Sequence, residues 1–187
     1  MVEIVPYQQT WPEEFRVIGA RLRQALGPLA LRIDHIGSTS IPGTAAKDVI
    51  DIQVTTASLD EPLSSAMSSI GYVRLEGFAD HRPPDSYGPK SDWAKWFFLP
   101  PPGQRKTHVH VRVQGAANQR YPILFRDYLR AHPATAQAYV ELKRRLAQHL
   151  ADPDTYADVK DPAVDLIYLA AEEWAAAGGW QFGPPDA

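Results

Sequence analysis

The chain contains no cysteine, which excludes disulfides and thiolate metal sites and fits a reducing compartment. No apolar run approaches the length of a membrane-spanning helix. The first eleven residues carry neither a charged start nor the long apolar stretch of a secretory signal, so the expected location is cytoplasmic. A basic excess is missing as well. The 19 Lys and Arg against 22 Asp and Glu leave a net charge of −3, which argues against an extended nucleic-acid surface and leaves only local basic clusters open. Internal repeats and low-complexity tracts are absent. What is present is 187 residues with 44% hydrophobic and 22% charged content, the composition of a globular protein of one domain.

The informative stretch is residues 31–54. Residues 31–36 form a short apolar-rich run ending in Gly37, Ser38, Thr39 and Ser40, which supply backbone donors and hydroxyls with almost no bulk. Pro42 and Gly43 are a turn signal, since Pro presets φ and Gly accepts positive φ at the next position. Lys47 follows, and residues 49–54 read as a buried strand. Strand parity puts Asp51 and Gln53 on one face and Ile50, Ile52 and Val54 on the other. A carboxylate in so apolar a run needs a partner: either a structural cation or cap, or a ligand.

Along the rest of the chain, residues 2–5 read as an edge strand. Thr10 and Glu13 read as a capping box for a helix carrying Phe15, Ile18, Leu22 and Leu26, closed by Gly27 and Pro28. Ser58 and Glu61 suggest a second capping box and a helix through Leu63, Met67 and Ile70, followed by a strand over 72–75. Residues 77–91 lose periodicity and gather Pro83, Pro84, Gly88 and Pro89, as a lid, a binding loop or a plain surface excursion would. Residues 93–99 and 107–113 suggest a hairpin. Helices are expected over 120–132, over 134–150 with a stripe of Ala138, Leu142, Leu146 and Leu150, and from Asp161 and Pro162 through Leu166, Leu169 and Trp174 to Gly178 and Gly179. The last residues read as a loose tail.

In residues 108–112, His108, His110 and Arg112 share one strand face and two valines the other. Two imidazoles on one face, with His35 in the neighbouring motif, suggest a polar cleft wall rather than core packing. They could bind phosphate as imidazolium, serve as general acid or base, or ligate Zn²⁺ or Fe²⁺ together with His35. Arg126 and Arg130 lie one helical turn apart, as a solvated stripe or as forks for phosphate oxygens. Trp93, Trp96 and Phe97 fit core packing better than a base-stacking platform.

The segment His35 to Ile52, the run Thr107 to Val111, the run Phe125 to Pro133, and Tyr139 with Leu142 and Lys143 resemble the GrpB-type family, bacterial proteins of the nucleotidyltransferase superfamily with a DNA polymerase beta-like fold. The resemblance implies an α/β (α+β) fold, a mixed β-sheet backed by helices with a helical C-terminal half. It sets a core over 1–116 and a helical part over 117–187 packed on it, within a single domain. It also implies a Gly–Ser turn at a helix start that holds phosphate oxygens, followed by a strand with two carboxylates two residues apart holding Mg²⁺. Gly37, Ser38 and Asp51 match; Gln53 stands at the second carboxylate position, and Asp48 stands where the family usually has proline. Asp34, Asp80 or Asp92 could supply the missing acid. Some family members are fused to dephospho-CoA kinase.

Three functions compete. In an enzyme moving a nucleotidyl group from a nucleoside triphosphate, Asp51 and Gln53 would hold Mg²⁺. Ser38 and its neighbours, with Lys47, His35, Arg126 and Arg130, would bind phosphate, and His108 and His110 would stabilise charge. A non-catalytic nucleotide- or anion-binding module is the alternative favoured by Gln53. A mononuclear metal hydrolase built on His35, His108 and His110 is the third. The expected partner is a small nucleotide or phosphate ligand, with no membrane.

Overall fold

The computed structural model describes residues 2–77, 80–84, 86, 89–150, 152 and 155–187. Its centre is a five-stranded mixed sheet in the order β1-β2-β5-β4-β3, formed by β1 (Arg32–Ile36), β2 (Ile50–Thr56), β3 (Val73–Leu75), β4 (Trp96–Leu99) and β5 (Thr107–Val113). β2 and β5 run parallel at the middle, and the other pairs are antiparallel. Parity divides this sheet into unlike faces. Ile33, Ile52, Val54, Val109, Val111 and Phe98 point into one dry cluster with Trp11, Phe15 and Leu22 of α1 (Trp11–Leu26) and Leu63 and Met67 of α2 (Glu61–Ser69). The opposite face carries Asp34, Asp51, Gln53, His108, His110 and Arg112. Three helices cluster with Ile41 around their own apolar core: α3 (Ala117–Ala131), α4 (Pro133–His149) and α5 (Tyr156–Gly178).

Several local expectations shift. Residues 2–5 make only an isolated bridge, Val5 to Ala46, because one residue pair gives too little ladder to sustain a strand. Thr10 sits in helical conformation and makes no side-chain cap. The second cap is Asp60, which accepts from Leu63 N, while Ser58 Oγ donates to Asp60 at 2.5 Å. Residues 90–93 form a 3-10 turn, so β4 starts only at Trp96. Pro162 lies within α5, which starts at Tyr156, five residues before Asp161. Leu166 and Leu169 face out, at 71% and 52% exposure.

The buried side of α4 holds Ala136, Tyr139, Val140 and Lys143, turned away from the expected Ala138 stripe because Lys143 reaches inward to the Gly37 turn. The C-terminal residues dock instead of trailing: the amides of Asp186 and Ala187 donate to Ile33 O on edge strand β1, and Asp186 takes a 2.6 Å ion pair from Arg126. No helix among the described residues is long and apolar enough to cross a membrane.

Candidate functional site

The site begins where β1 ends. Gly37 has φ +68°, and a Cβ there would lie 2.3 Å from Asp51 Oδ2, so this position demands glycine on both backbone and steric grounds. The following Ser38–Ser40 is one 3-10 turn rather than the start of an α-helix. Its hydroxyls divide by role. Thr39 Oγ1 donates to Val49 O and Ser40 Oγ to Gly37 O, both holding the turn. Ser38 Oγ faces the cleft and accepts a 2.9 Å bond from Lys143 Nζ, which also donates to Ala45 O.

A cavity of about 200 Å³ opens beside this turn, lined by Ser38, Asp51, Lys47, Lys143, Lys160 and Tyr139 among others. A second, of about 260 Å³, shares Gly37, Ser38, Asp51, Tyr139 and Lys160 with it and continues past Tyr121, Phe125 and Trp93. The cleft therefore has a lysine end and an aromatic end that meet at Asp51. Burial, reinforced by Lys160, pushes the Lys143 ammonium down to about 7. Lys47 Nζ sits 4.0 Å from the centre of the Tyr156 ring, a cation–π contact that holds it at the rim.

Asp51 stands opposite His108 in the parallel register and Gln53 opposite His110. His108 Nδ1 lies 3.3 Å and His110 Nε2 3.9 Å from Asp51 Oδ1. Burial opposes ionisation of Asp51, yet the two imidazoles beside it, His108 first and then His110, outweigh burial and hold the carboxyl well below the usual range. Burial, with the charges of Arg112 and Lys95, pushes His110 down to about 4 against the pull of Asp51.

Other residues expected at the site are elsewhere. His35 alternates onto the dry face, where it stacks on Phe15 at 4.7 Å and meets Thr39 Oγ1 at 3.0 Å. A triad of His35 with His108 and His110 is ruled out by the sheet between them. Gln53 is buried and committed: its amide oxygen accepts from Arg112 and its amide nitrogen donates to Gln119 O. The carboxylate pair that would hold Mg²⁺ is thus missing, and the residue in the second position has no free ligand atom turned to the cleft. Neither Asp34 nor Asp80 fills the gap. Asp34 is held bidentately by Arg32 at 2.6 and 2.5 Å, and Asp80 is clamped by Arg112 and Lys95, with Asn118 donating to it. Asp92 lies in the 3-10 turn of residues 90–93.

Arg126 and Arg130 grip the motif from behind. Arg126 donates to His35 O and Asp186, and Arg130 makes two bonds to Ser40 O. Both guanidinium groups fix backbone here rather than face the cavity. Asp48 accepts from Trp11 Nε1 and Arg105 and so anchors the strand's entrance to α1. In the segment 77–91, Asp80 and His81 tie the chain to β5 and to Asp161 and Asp165 of α5; residues 78, 79, 85, 87 and 88, Gly88 included, lie outside the described residues.

The model of the GrpB protein family matches residues 1–169. The chain belongs to the GrpB family. A crystal structure of GrpB from Enterococcus faecalis superposes with a TM-score of 0.75 at 31% identity, covering 92% of this chain and 99% of that one. A structure of Cid1 in complex with its short product ApU superposes with a TM-score of 0.50 at 10% identity, over 77% of this chain and 43% of that one. At that identity the likeness concerns fold alone, and the fold is nucleotidyltransferase-like. A protein named dephospho-CoA kinase from Mycolicibacterium paratuberculosis is 38% identical over 196 residues, which are 96% of this chain and 48% of that protein. The chain spans about half the length of the curated relatives it matches first.

Lys143, Lys160 and Tyr139, like Tyr121 and Phe125, line the cleft but lie outside the site expected from the sequence. Sequence periodicity leaves Lys143 off the apolar stripe of its helix, whereas in the structure it is 4% exposed, and a lysine is buried only when something holds it.

Proposed function

We propose that this GrpB-family protein binds a nucleotide or another phosphorylated small molecule in the cleft. The phosphate would lie against Ser38, Lys143, Lys160 and Lys47, and the organic part along Tyr121 and Phe125. One observation carries the reading: three lysines, one of them bonded to Ser38, line one cavity in which Asp51 is the only acid among the described residues. Ammonium groups with an adjoining hydroxyl suit phosphate oxygens, and apolar lining with a few polar groups suits a small ligand. The committed Gln53 does not fit a two-carboxylate Mg²⁺ site, so binding, rather than Mg²⁺-assisted transfer, is the primary reading.

Isothermal titration of the purified chain with a panel of nucleoside mono- and triphosphates tests the reading. The name of the Mycolicibacterium paratuberculosis relative adds dephospho-coenzyme A to the panel. The reading expects micromolar affinity for at least one member, falling about tenfold or more in Lys143→Met and Lys160→Met. Absence of binding across the panel and for inorganic phosphate defeats it. Nucleotidyl transfer is a second reading, favoured by Asp51 standing on the strand after the Gly37–Ser38 turn in a nucleotidyltransferase-like fold. It requires pyrophosphate release from a triphosphate that Asp51→Asn abolishes.

A further inference from the structure

The face of the sheet that lacks the expected carboxylate pair holds a different donor set. The parallel register of β2 and β5 sets Asp51 beside His108, and parity brings His110 to the same face. One ligand atom from each of Asp51, His108 and His110 lies within 4.8 Å of the other two. Around a tetrahedral ion with bonds of about 2.0–2.1 Å, donors stand roughly 3.4 Å apart, so the 3.3 and 3.9 Å separations from Asp51 Oδ1 need only sub-ångström adjustment.

The three groups are constrained rather than loosely gathered. Gly37 packs against the Oδ2 side of Asp51 and leaves Oδ1 to the imidazoles. The Phe97 ring lies 5.2 Å from that of His108 and 5.1 Å from that of His110, which limits their swing. All three side chains are part-exposed, at 28% for Asp51, 34% for His108 and 17% for His110, so coordination positions on the cleft side stay open.

We propose that Asp51, His108 and His110 form a mononuclear site for a divalent transition-metal ion, with its open positions toward the lysine-lined cavity. Two imidazoles and one carboxylate suit Zn²⁺, Mn²⁺, Fe²⁺, Co²⁺ or Ni²⁺, whereas Mg²⁺ favours six oxygens. His110 Nδ1 is buried without a hydrogen-bond partner. An imidazole bound through Nε2 carries its proton on Nδ1, and an unpaired buried N–H weakens the bond to the ion. The site is therefore an exchangeable one, with micromolar rather than structural affinity. It uses none of the lysines and stands apart from the phosphate reading.

The test is titration of Co²⁺ into the full chain, purified without an affinity tag and stripped with chelator. Visible d–d absorption reports the ion, and the titration is repeated under a hundredfold excess of Mg²⁺. The expected result is one Co²⁺ per chain, displaced by Zn²⁺ and not by Mg²⁺, with affinity at least thirtyfold weaker in His108→Ala and His110→Ala. Circular dichroism checks that both variants are folded. No absorption change up to millimolar Co²⁺ in the unmodified chain overturns the site, whatever the variants do. So does binding that survives the double substitution, or that Mg²⁺ competes away. Phosphate affinity measured on the stripped chain separates failure here from failure of the phosphate reading.

Discussion

The two faces of one sheet are built on opposite principles. On the α1/α2 side, Ile52, Val54, Val109, Val111 and Phe98 are completely buried in apolar contacts, and stability there scales with area and fit. On the α3–α5 side, the intervening residues of the same strands are charged or polar, and specific pairings position them: Gln53 is held by Arg112 and Gln119, Arg112 by Asp80, and Asp51 by two imidazoles. A single alternation in β2 and β5 thus separates the part that holds the fold from the part that can meet a ligand. Truncating the dry face should carry the largest effect. Phe98→Ala leaves a cavity in a fully buried site and is expected to cost about 4 kcal/mol in urea unfolding, with ligand affinity unchanged while the chain stays folded. A cost near zero would mean that the cluster is not the main source of stability.

The polar face breaks differently. Asp80 is the hub for Arg112, Lys95 and Asn118, and burial works against its ionised form while Arg112 and Lys95 hold it ionised, well below the usual carboxylate range. Asp80→Asn leaves two cations facing a neutral amide, so a loss of about 3 kcal/mol is expected. Because Arg112 then loosens its hold on Gln53, the cleft should also become less ordered, visible as faster amide exchange at Gln119.

His35 is the polar residue on the wrong side of that division, and acid exposes it. Burial pushes its imidazole down to about 4, below its unfolded value near 6.5. The unfolded chain therefore binds a proton that the folded chain refuses, so stability is intact above pH 6.5 and falls as pH drops toward 4. The contribution is about 2 kcal/mol by pH 5. Urea midpoints between pH 7 and 4.5 should fall, and His35→Phe should flatten the His35 share of that slope. An unchanged slope would place the titrating group on the other face, where His110 is also pushed to about 4.

Much of this division was legible beforehand. Alternation in residues 49–54 and 107–113 carried the strands, their pairing face and the convergence of Asp51 with His108 and His110. His35 belongs to the same motif as Gly37 and Ser38 yet not to the site, because a single residue along β1 reverses the direction of a side chain. Arg126 and Arg130 looked like anion forks because helical spacing cannot tell whether a guanidinium meets a ligand or a backbone carbonyl. The docked C-terminus was invisible for a related reason: nothing local marks Asp186 as the partner of an arginine sixty residues earlier. Lys143 is hidden from apolar periodicity, which draws the α4 stripe one position away from the buried side.

Lys143 gives the smallest effect on stability and the sharpest one on function. Its ammonium is held near 7 by burial and by Lys160, so removing the charge relieves a cost that the lost bonds to Ser38 and Ala45 offset. Lys143→Met should change stability by less than about 1 kcal/mol. The ligand should respond strongly, because a bound phosphate raises the amine's pKa and binding then takes up a proton. Affinity must therefore fall as pH rises from 7 toward 9, by at most about tenfold per unit for one proton. Titrations in two buffers of different ionisation enthalpy read that uptake directly, and Lys143→Met should bind weakly with no such pH dependence. Equal affinities at pH 7 and 9 in the unmodified chain would mean that phosphate does not touch this amine, and the lysine end of the cleft would then be only the scaffold that fastens α4 to the Gly37 turn.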